Sequence, residues 1–149
     1  MSALYAIDTN LLVYAHNTTA PFHTEAKSFI EKAFSNYDIS REVCIPAQVL
    51  VEFLNVITWS KIGNPLPLDK ATIIVQRYIA SGVPIIHPQA TQLTTLFSLL
   101  EGMTTRKKIF DVALAATLKD NNIKGLYTIN VKDFKEFGFL DVVNPLAIN

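Results

Sequence analysis

Three carboxylates stand alone in otherwise uncharged stretches of this 149-residue chain. Asp8 is the only charged residue among residues 1–22, Glu52 the only one between Val43 and Ser60, and Asp111 the only one between Ile109 and Leu118. An acid inside an apolar segment is costly unless a donor, a cation or a metal ion compensates it. No Lys or Arg lies close in sequence to Asp8 or Glu52, so compensation must come from elsewhere in the fold or from a bound ion. Oxygen ligands of this kind are what the hard cations Mg2+ and Mn2+ prefer.

Each acid also has a simpler reading. Asp8 can cap a helix or close a turn. Glu52 can be an ordinary solvated helix residue, and Asp111 can be a first-turn acid that suits the positive end of a helix. Glu101 beside Gly102 and Asp141 near the C-terminus are isolated as well, so isolation selects candidates and does not by itself define a site.

The elements that must position these acids follow from apolar spacing. Leu4 to Ile7 reads as a short strand, with a helix from about Asn10. Phe22, Ala26, Phe29, Ile30 and Ala33 share one face of a helix over Phe22 to Phe34. Val43 to Ile45 is a short strand, and Pro46 suits the first turn of a helix that runs to about Lys61. On that helix Leu50, Phe53, Leu54 and Ile57 form the apolar face, while Gln48, Glu52 and Asn55 lie on a polar stripe. Gly63-Asn64-Pro65 breaks the chain. A helix from near Asp69 to Gly82, a strand over Val83 to Ile86 and a helix over Ala90 to Leu100 follow. Phe110 to Asp120 is an apolar helix whose core face is Phe110, Ala113, Leu114 and Leu118. Gly125 to Ile129 and Leu140 to Val143 are the last strands. Strands alternating with helices imply a mostly parallel sheet covered on both faces. Ligands in such sheets bind beyond the carboxyl ends of the strands, which points to the residues after Ile7 and after Thr128.

Composition sets the outer limits. Half of the residues are hydrophobic and 17% are charged, against roughly 25% in soluble domains. The length fits one domain. Thirteen basic and thirteen acidic residues give a formal net charge of zero, so nucleic acid would be held by a local basic patch and not by a global excess. The single cysteine, Cys44, permits no internal disulfide and suits a reducing compartment. The N-terminal apolar run is short, is preceded by no Lys or Arg and is interrupted by Asp8, unlike a secretory leader. No stretch reads as a membrane span, and a cytoplasmic location is the expectation.

Four segments, taken in order, resemble the PIN-domain ribonucleases, especially the VapC-type toxin subunits of toxin–antitoxin pairs. They are Ile7-Asp8-Thr9-Asn10-Leu11-Leu12-Val13-Tyr14-Ala15, Gln48-Val49-Leu50-Val51-Glu52-Phe53, Ile109-Phe110-Asp111-Val112-Ala113-Leu114-Ala115-Ala116 and Thr128-Ile129-Asn130-Val131-Lys132-Asp133-Phe134. The resemblance implies a single domain over 1–149 with a three-layer α/β/α fold around a mostly parallel sheet. It implies Mg2+- or Mn2+-dependent hydrolysis of RNA phosphodiesters, in which metal lowers the pKa of water and neutralises phosphate charge. Asp8 and Asp111 match the primary metal ligands, and Glu52 matches the third acid, binding a second metal or acting through water. Asn10 and Thr128 match supporting groups. Where the family often carries a fourth acid this chain has Asn130, and Asp133 either supplies that charge or is a turn residue. Arg106, Lys107, Lys108 and Lys132 are the candidate phosphate contacts. Toxin-type members also imply a homodimer and a small antitoxin that covers the site, with Phe22, Trp59 and Phe97 as apolar residues available either to such surfaces or to the core. The alternative is a PIN fold that binds RNA or protein with little or no nuclease activity.

Other hydrolases fit less well. A haloacid-dehalogenase phosphatase needs an aspartate where Asn10 stands. A receiver domain needs paired early acids and a late lysine. No glycine-rich phosphate loop occurs. His16, His23, His87 and Cys44 are scattered, against a zinc site, and no nucleophile–histidine arrangement is evident.

Overall fold

The computed structural model describes residues 3–35, 42–103 and 108–146. Five strands form one all-parallel sheet: β1 (Leu4–Ile7), β2 (Glu42–Pro46), β3 (Ile85–Ile86), β4 (Gly125–Tyr127) and β5 (Asp141–Val143), in the order β3-β2-β1-β4-β5. Seven helices among the described residues complete a three-layer α/β/α fold: α1 (Thr9–His16), α2 (His23–Ser35), α3 (Ala47–Ile57), α4 (Leu68–Ala80), α5 (Gln92–Leu100), α6 (Ile109–Asp120) and α7 (Val131–Phe134). Helix α1 packs on α2 and α3, and α3 on α4; α5 packs on α6, and α6 on α7.

The central strand is a continuous apolar run because both of its faces are covered. Ala6 and Ile7 are fully buried, as are Cys44 and Ile45 of β2 and Leu126 of β4. The chain moves outward from β1 through β2 to β3, then returns to lay β4 on the other side of β1. The crevice beyond the carboxyl ends of β1 and β4 is therefore the point where the topology reverses, the usual place for a ligand in an open parallel sheet. One close approach fixes the β1–β4 register. Tyr5 pairs with Gly125, and a Cβ on Gly125 would come within 2.5 Å of the Tyr5 ring. Only glycine leaves room for that ring, which lies 4.8 Å from Tyr127 between centroids, tilted by 33°.

The sequence-based elements are all present, and several limits shift for identifiable reasons. Helix α3 stops at Ile57 instead of near Lys61. The Thr58 hydroxyl donates to the Leu54 carbonyl at 2.7 Å, and Trp59 N–H reaches only three residues back to Val56. Strand β3 starts at Ile85 and not Val83, since Pro84 has no N–H for the ladder; its carbonyl still accepts from Ile45 N at 2.9 Å. Strand β4 ends at Tyr127 because Thr128 turns into the site, and the short helix α7 follows where no element was expected.

Two aromatic placements are corrected. Phe110 is 74% exposed and is not on the core face of α6, which instead buries residues from Val112 to Leu118. The first turn of α6 stands clear of the core, as the exposed Lys108 and Ile109 also show. Phe22 precedes α2 and does not pack with Ala26 and Ile30; it is exposed, with φ at 58°.

A pair of substitutions tests this packing. Phe53→Ala, at a fully buried position, should cost about 3–5 kcal/mol in urea unfolding. Phe110→Ala should change stability by no more than about 0.5 kcal/mol.

Candidate active site

Strand β1 delivers Asp8 to the crevice, where it is only 7% exposed. Its two oxygens are both engaged. Oδ1 accepts from Thr9 N–H at 2.8 Å, which makes Asp8 the N-cap of α1. Oδ2 accepts from the Thr128 hydroxyl at 2.8 Å. The capping reading of Asp8 and the site reading thus describe the same side chain. Thr128 is fully buried at the end of β4, and its own oxygen accepts from Asn130 N–H at 3.0 Å.

Glu52 projects from the polar stripe of α3. Thr9 Oγ1 donates to its Oε2 at 2.9 Å, and Gln48 Nε2 to its Oε1 at 3.0 Å. The same Gln48 nitrogen donates to the Phe110 carbonyl at 2.9 Å, one residue before Asp111. Asp111 lies half-buried in the first turn of α6, where the positive helix end favours an acid. An unbroken run of hydrogen bonds and one peptide link therefore joins Asn130, Thr128, Asp8, Thr9, Glu52, Gln48 and Asp111.

The remaining sequence candidates fall around this core. Asp133 on α7 acts electrostatically on both Asp8 and Asp111. It pairs with the exposed Lys108 at 3.3 Å. Asn130 and Asn10 are half-buried, and neither side chain hydrogen-bonds an acid among the described residues. Lys132 is exposed on α7. Arg106 and Lys107 lie outside the described residues. Thr9 and Gln48 were not picked out by the sequence reading. For Gln48 a signal existed: a glutamine four residues before a helical glutamate faces it.

The electrostatics are those of a cluster short of positive charge. Burial raises the Asp8 carboxyl, and Glu52 and Asp133 add to the rise, while the bonds from Thr128 and Thr9 oppose it. Asp111 is pushed up to about 6 by burial, then by Asp8 and Asp133; Lys108 opposes this and Glu52 adds to it. No three acids, histidines or cysteines among the described residues converge as a closed metal cage would require. Magnesium and manganese need no such cage, since they bind through one or two carboxylates and keep several waters. The ligand atoms offered here are oxygens, and among the described residues no Lys or Arg bonds to Asp8 or Glu52, so the set fits a hard divalent ion. Two of the three histidines are engaged elsewhere: His16 Nε2 with the Tyr78 hydroxyl at 2.6 Å, and His23 Nδ1–H with the Tyr14 carbonyl at 2.7 Å. Burial pushes the Cys44 thiol up to about 12, which makes it unreactive.

Comparison with known proteins places this geometry in context. The model of the PIN domain family matches residues 5–140. Ribonuclease VapC24 of Mycobacterium tuberculosis is 27% identical over 146 residues, covering 97% of this chain and 98% of its own. Among solved structures, VapBC2 from Rickettsia felis, bound to a DNA fragment from its promoter, matches with a TM-score of 0.68 at 22% identity, covering 94% of this chain and 97% of its own. A toxin-antitoxin complex from Klebsiella pneumoniae matches with a TM-score of 0.62 at 20% identity, covering 99% of this chain and 100% of its own.

The raised Asp111 carboxyl has a consequence for stability. It keeps its proton to about pH 6 when folded, against 3.8 for an ordinary aspartate. Between those values the folded chain binds more protons than the unfolded one, so stability falls as pH rises through the window and stays lower above it. Discounted for solvent screening at a half-buried position, the penalty is on the order of 1 kcal/mol. In chelator at about pH 7.5, Asp111→Asn should melt roughly 2–4 °C above the parent, and the gain should shrink toward about pH 5. Thermal scans at the two pH values measure it.

Proposed function

Because the chain belongs to the PIN domain family, we propose that it is a Mg2+- or Mn2+-dependent endoribonuclease and the toxin of a toxin–antitoxin pair. The observation that carries this reading is the placement of Asp8, Glu52 and Asp111 around the carboxyl ends of β1 and β4, with Asp8 raised by burial and by Glu52 and Asp133, and Asp111 by burial and by Asp8 and Asp133. The ribonuclease named among its relatives, aligned over nearly the whole of both chains, supports the same activity.

Asp8 and Asp111 would hold the ion, with Glu52 as the further ligand or acting through water. When bound it supplies an activated water and neutralises phosphate charge. The chain's own contribution is orientation. Thr128 and Thr9 hold the two Asp8 oxygens in place, and Thr9 with Gln48 holds Glu52. Lys108, which pairs with Asp133 and acts on Asp111, and the exposed Lys132 are the candidates to meet RNA phosphates, with Arg106 and Lys107 as further candidates. Such contacts give salt-sensitive binding with little sequence information. Lys108 would exchange its exposed pairing with Asp133, which costs little to break.

Partners follow from the same reading. Phe22 before α2, Trp59 after α3, Phe97 on α5 and Phe110 on α6 are all exposed. Large apolar side chains in water are contact area for other molecules, here a second copy of the chain and a small antitoxin. No helix among the described residues is long and apolar enough to cross a membrane. A lone buried thiol suits the reducing cytoplasm as the place of action. The neutral Asn130 favours one competing reading, a PIN fold that binds RNA or protein without cutting it.

Cleavage of RNA by the purified chain separates the two. Activity should require Mg2+ or Mn2+ and fall on the order of 100-fold or more in Asp8→Asn and Asp111→Asn, with folding intact. Equal cleavage by Asp111→Asn would overturn the mechanism, and uncut RNA that remains bound would favour the binding module.

A further inference from the structure

Like Asp8, Glu52 has one neutral donor on each oxygen, but here both are side chains, the Thr9 hydroxyl at 2.9 Å and the Gln48 amide at 3.0 Å. The Gln48 amide has a second task. A primary amide nitrogen carries two hydrogens, and the other one is spent on the Phe110 carbonyl at 2.9 Å. That carbonyl belongs to the peptide leading into Asp111. One nitrogen thus spans a carboxylate on α3 and the main chain at the start of α6.

Few side chains can make this bridge. Glutamate at position 48 would set its own acceptors against two others. Methionine has the shape and no donor, and asparagine is one methylene too short. Gln48 is also well placed by its own helix, since residues four apart on α3 face each other, and the first turn of α3 leaves its side chain free to reach across to α6.

We propose that Gln48 is a positioning residue, whose amide sets the separation and orientation of Glu52 and Asp111 so that both can serve one cation-bearing site. The proposal rests on the reading of Asp8, Glu52 and Asp111 as that site. Thr9 performs the matching task on the other side, tying Glu52 to the segment that begins with Asp8. Glu52 is thereby fixed between the other two acids by two donors that carry no charge, so its negative charge stays available to a cation. A lysine there would neutralise it.

Mn2+ binding to the full chain, followed by the electron paramagnetic resonance signal of free Mn2+, tests this without relying on turnover. Groups that orient ligands in this way typically change metal affinity by roughly 10–100-fold, and Gln48→Met should weaken Mn2+ binding within that range while its circular dichroism and melting stay close to the parent's. Repeating the change in a Glu52→Gln background separates positioning from general damage. Acting through Glu52, Gln48→Met should have a several-fold smaller effect there; a merely structural loss would multiply through unchanged. If Gln48→Met folds poorly, Gln48→Asn, which keeps an amide but cannot span both acceptors, should show the same weakening. Parent-like Mn2+ binding by the folded Gln48 variants, or fully multiplicative losses, overturns the proposal. Asp8→Asn marks the other failure: if it binds Mn2+ as the parent does, the cation-site reading falls, and the role of Gln48 with it.

Discussion

Asp8 ends the central strand with almost no access to water and with two other acids, Glu52 and Asp133, acting on its charge. Such a carboxylate survives in a folded protein only if its neighbours are arranged around it. The end of β4 supplies the Thr128 hydroxyl, and the start of α1 supplies a main-chain N–H. The β1–β4 pairing, the sharp entry into α1 and the turn after Tyr127 are all conditions for those two bonds. The register of β4 against β1 is in turn fixed by Tyr5 lying over Gly125. A change that slid β4 by one residue would take the hydroxyl away from the acid it supports.

The two bonds do not fully offset the burial, since the Asp8 carboxyl remains raised. Asp111 shows the same imbalance more openly; Lys108 eases it, and that lysine is engaged with Asp133. The site is therefore built at some expense of stability, as functional sites often are. Among the described residues its geometry is held by the neutral donors Thr9, Gln48 and Thr128. Neutral donors fix direction while leaving net negative charge, and that residual charge is the property a cation-binding site needs.

Much of this was legible in the sequence because charge is scarce there. Asp8, Glu52 and Asp111 stood out as single charges in apolar runs, and the alternation of elements gave all five strands and a parallel sheet. Helix faces were less legible. In α6 nearly every residue from Val112 to Leu118 is buried, so periodicity carried no direction and Phe110 was assigned to a core that begins two residues later. Helix α7 was missed because four residues are too few to show a period. Thr9 carried no sequence signal as a site residue and Gln48 only half of one, for a different reason: what they do is a matter of which acceptor lies across the crevice. Sequence placed Gln48 and Glu52 on one stripe, but the partner on α6 appears only once the helices are packed.

The central claim is that these acids form one electrostatically coupled cluster that a divalent cation discharges. Carbon-13 NMR titration of the Asp8 and Asp111 carboxyl groups, with and without Mg2+, tests it most directly. Without the ion both should titrate above the ordinary aspartate range, Asp111 near about 6, and Mg2+ should bring both down, because a bound cation favours the ionised form. Ordinary midpoints in the free protein, or midpoints that saturating Mg2+ leaves unmoved, would contradict the account.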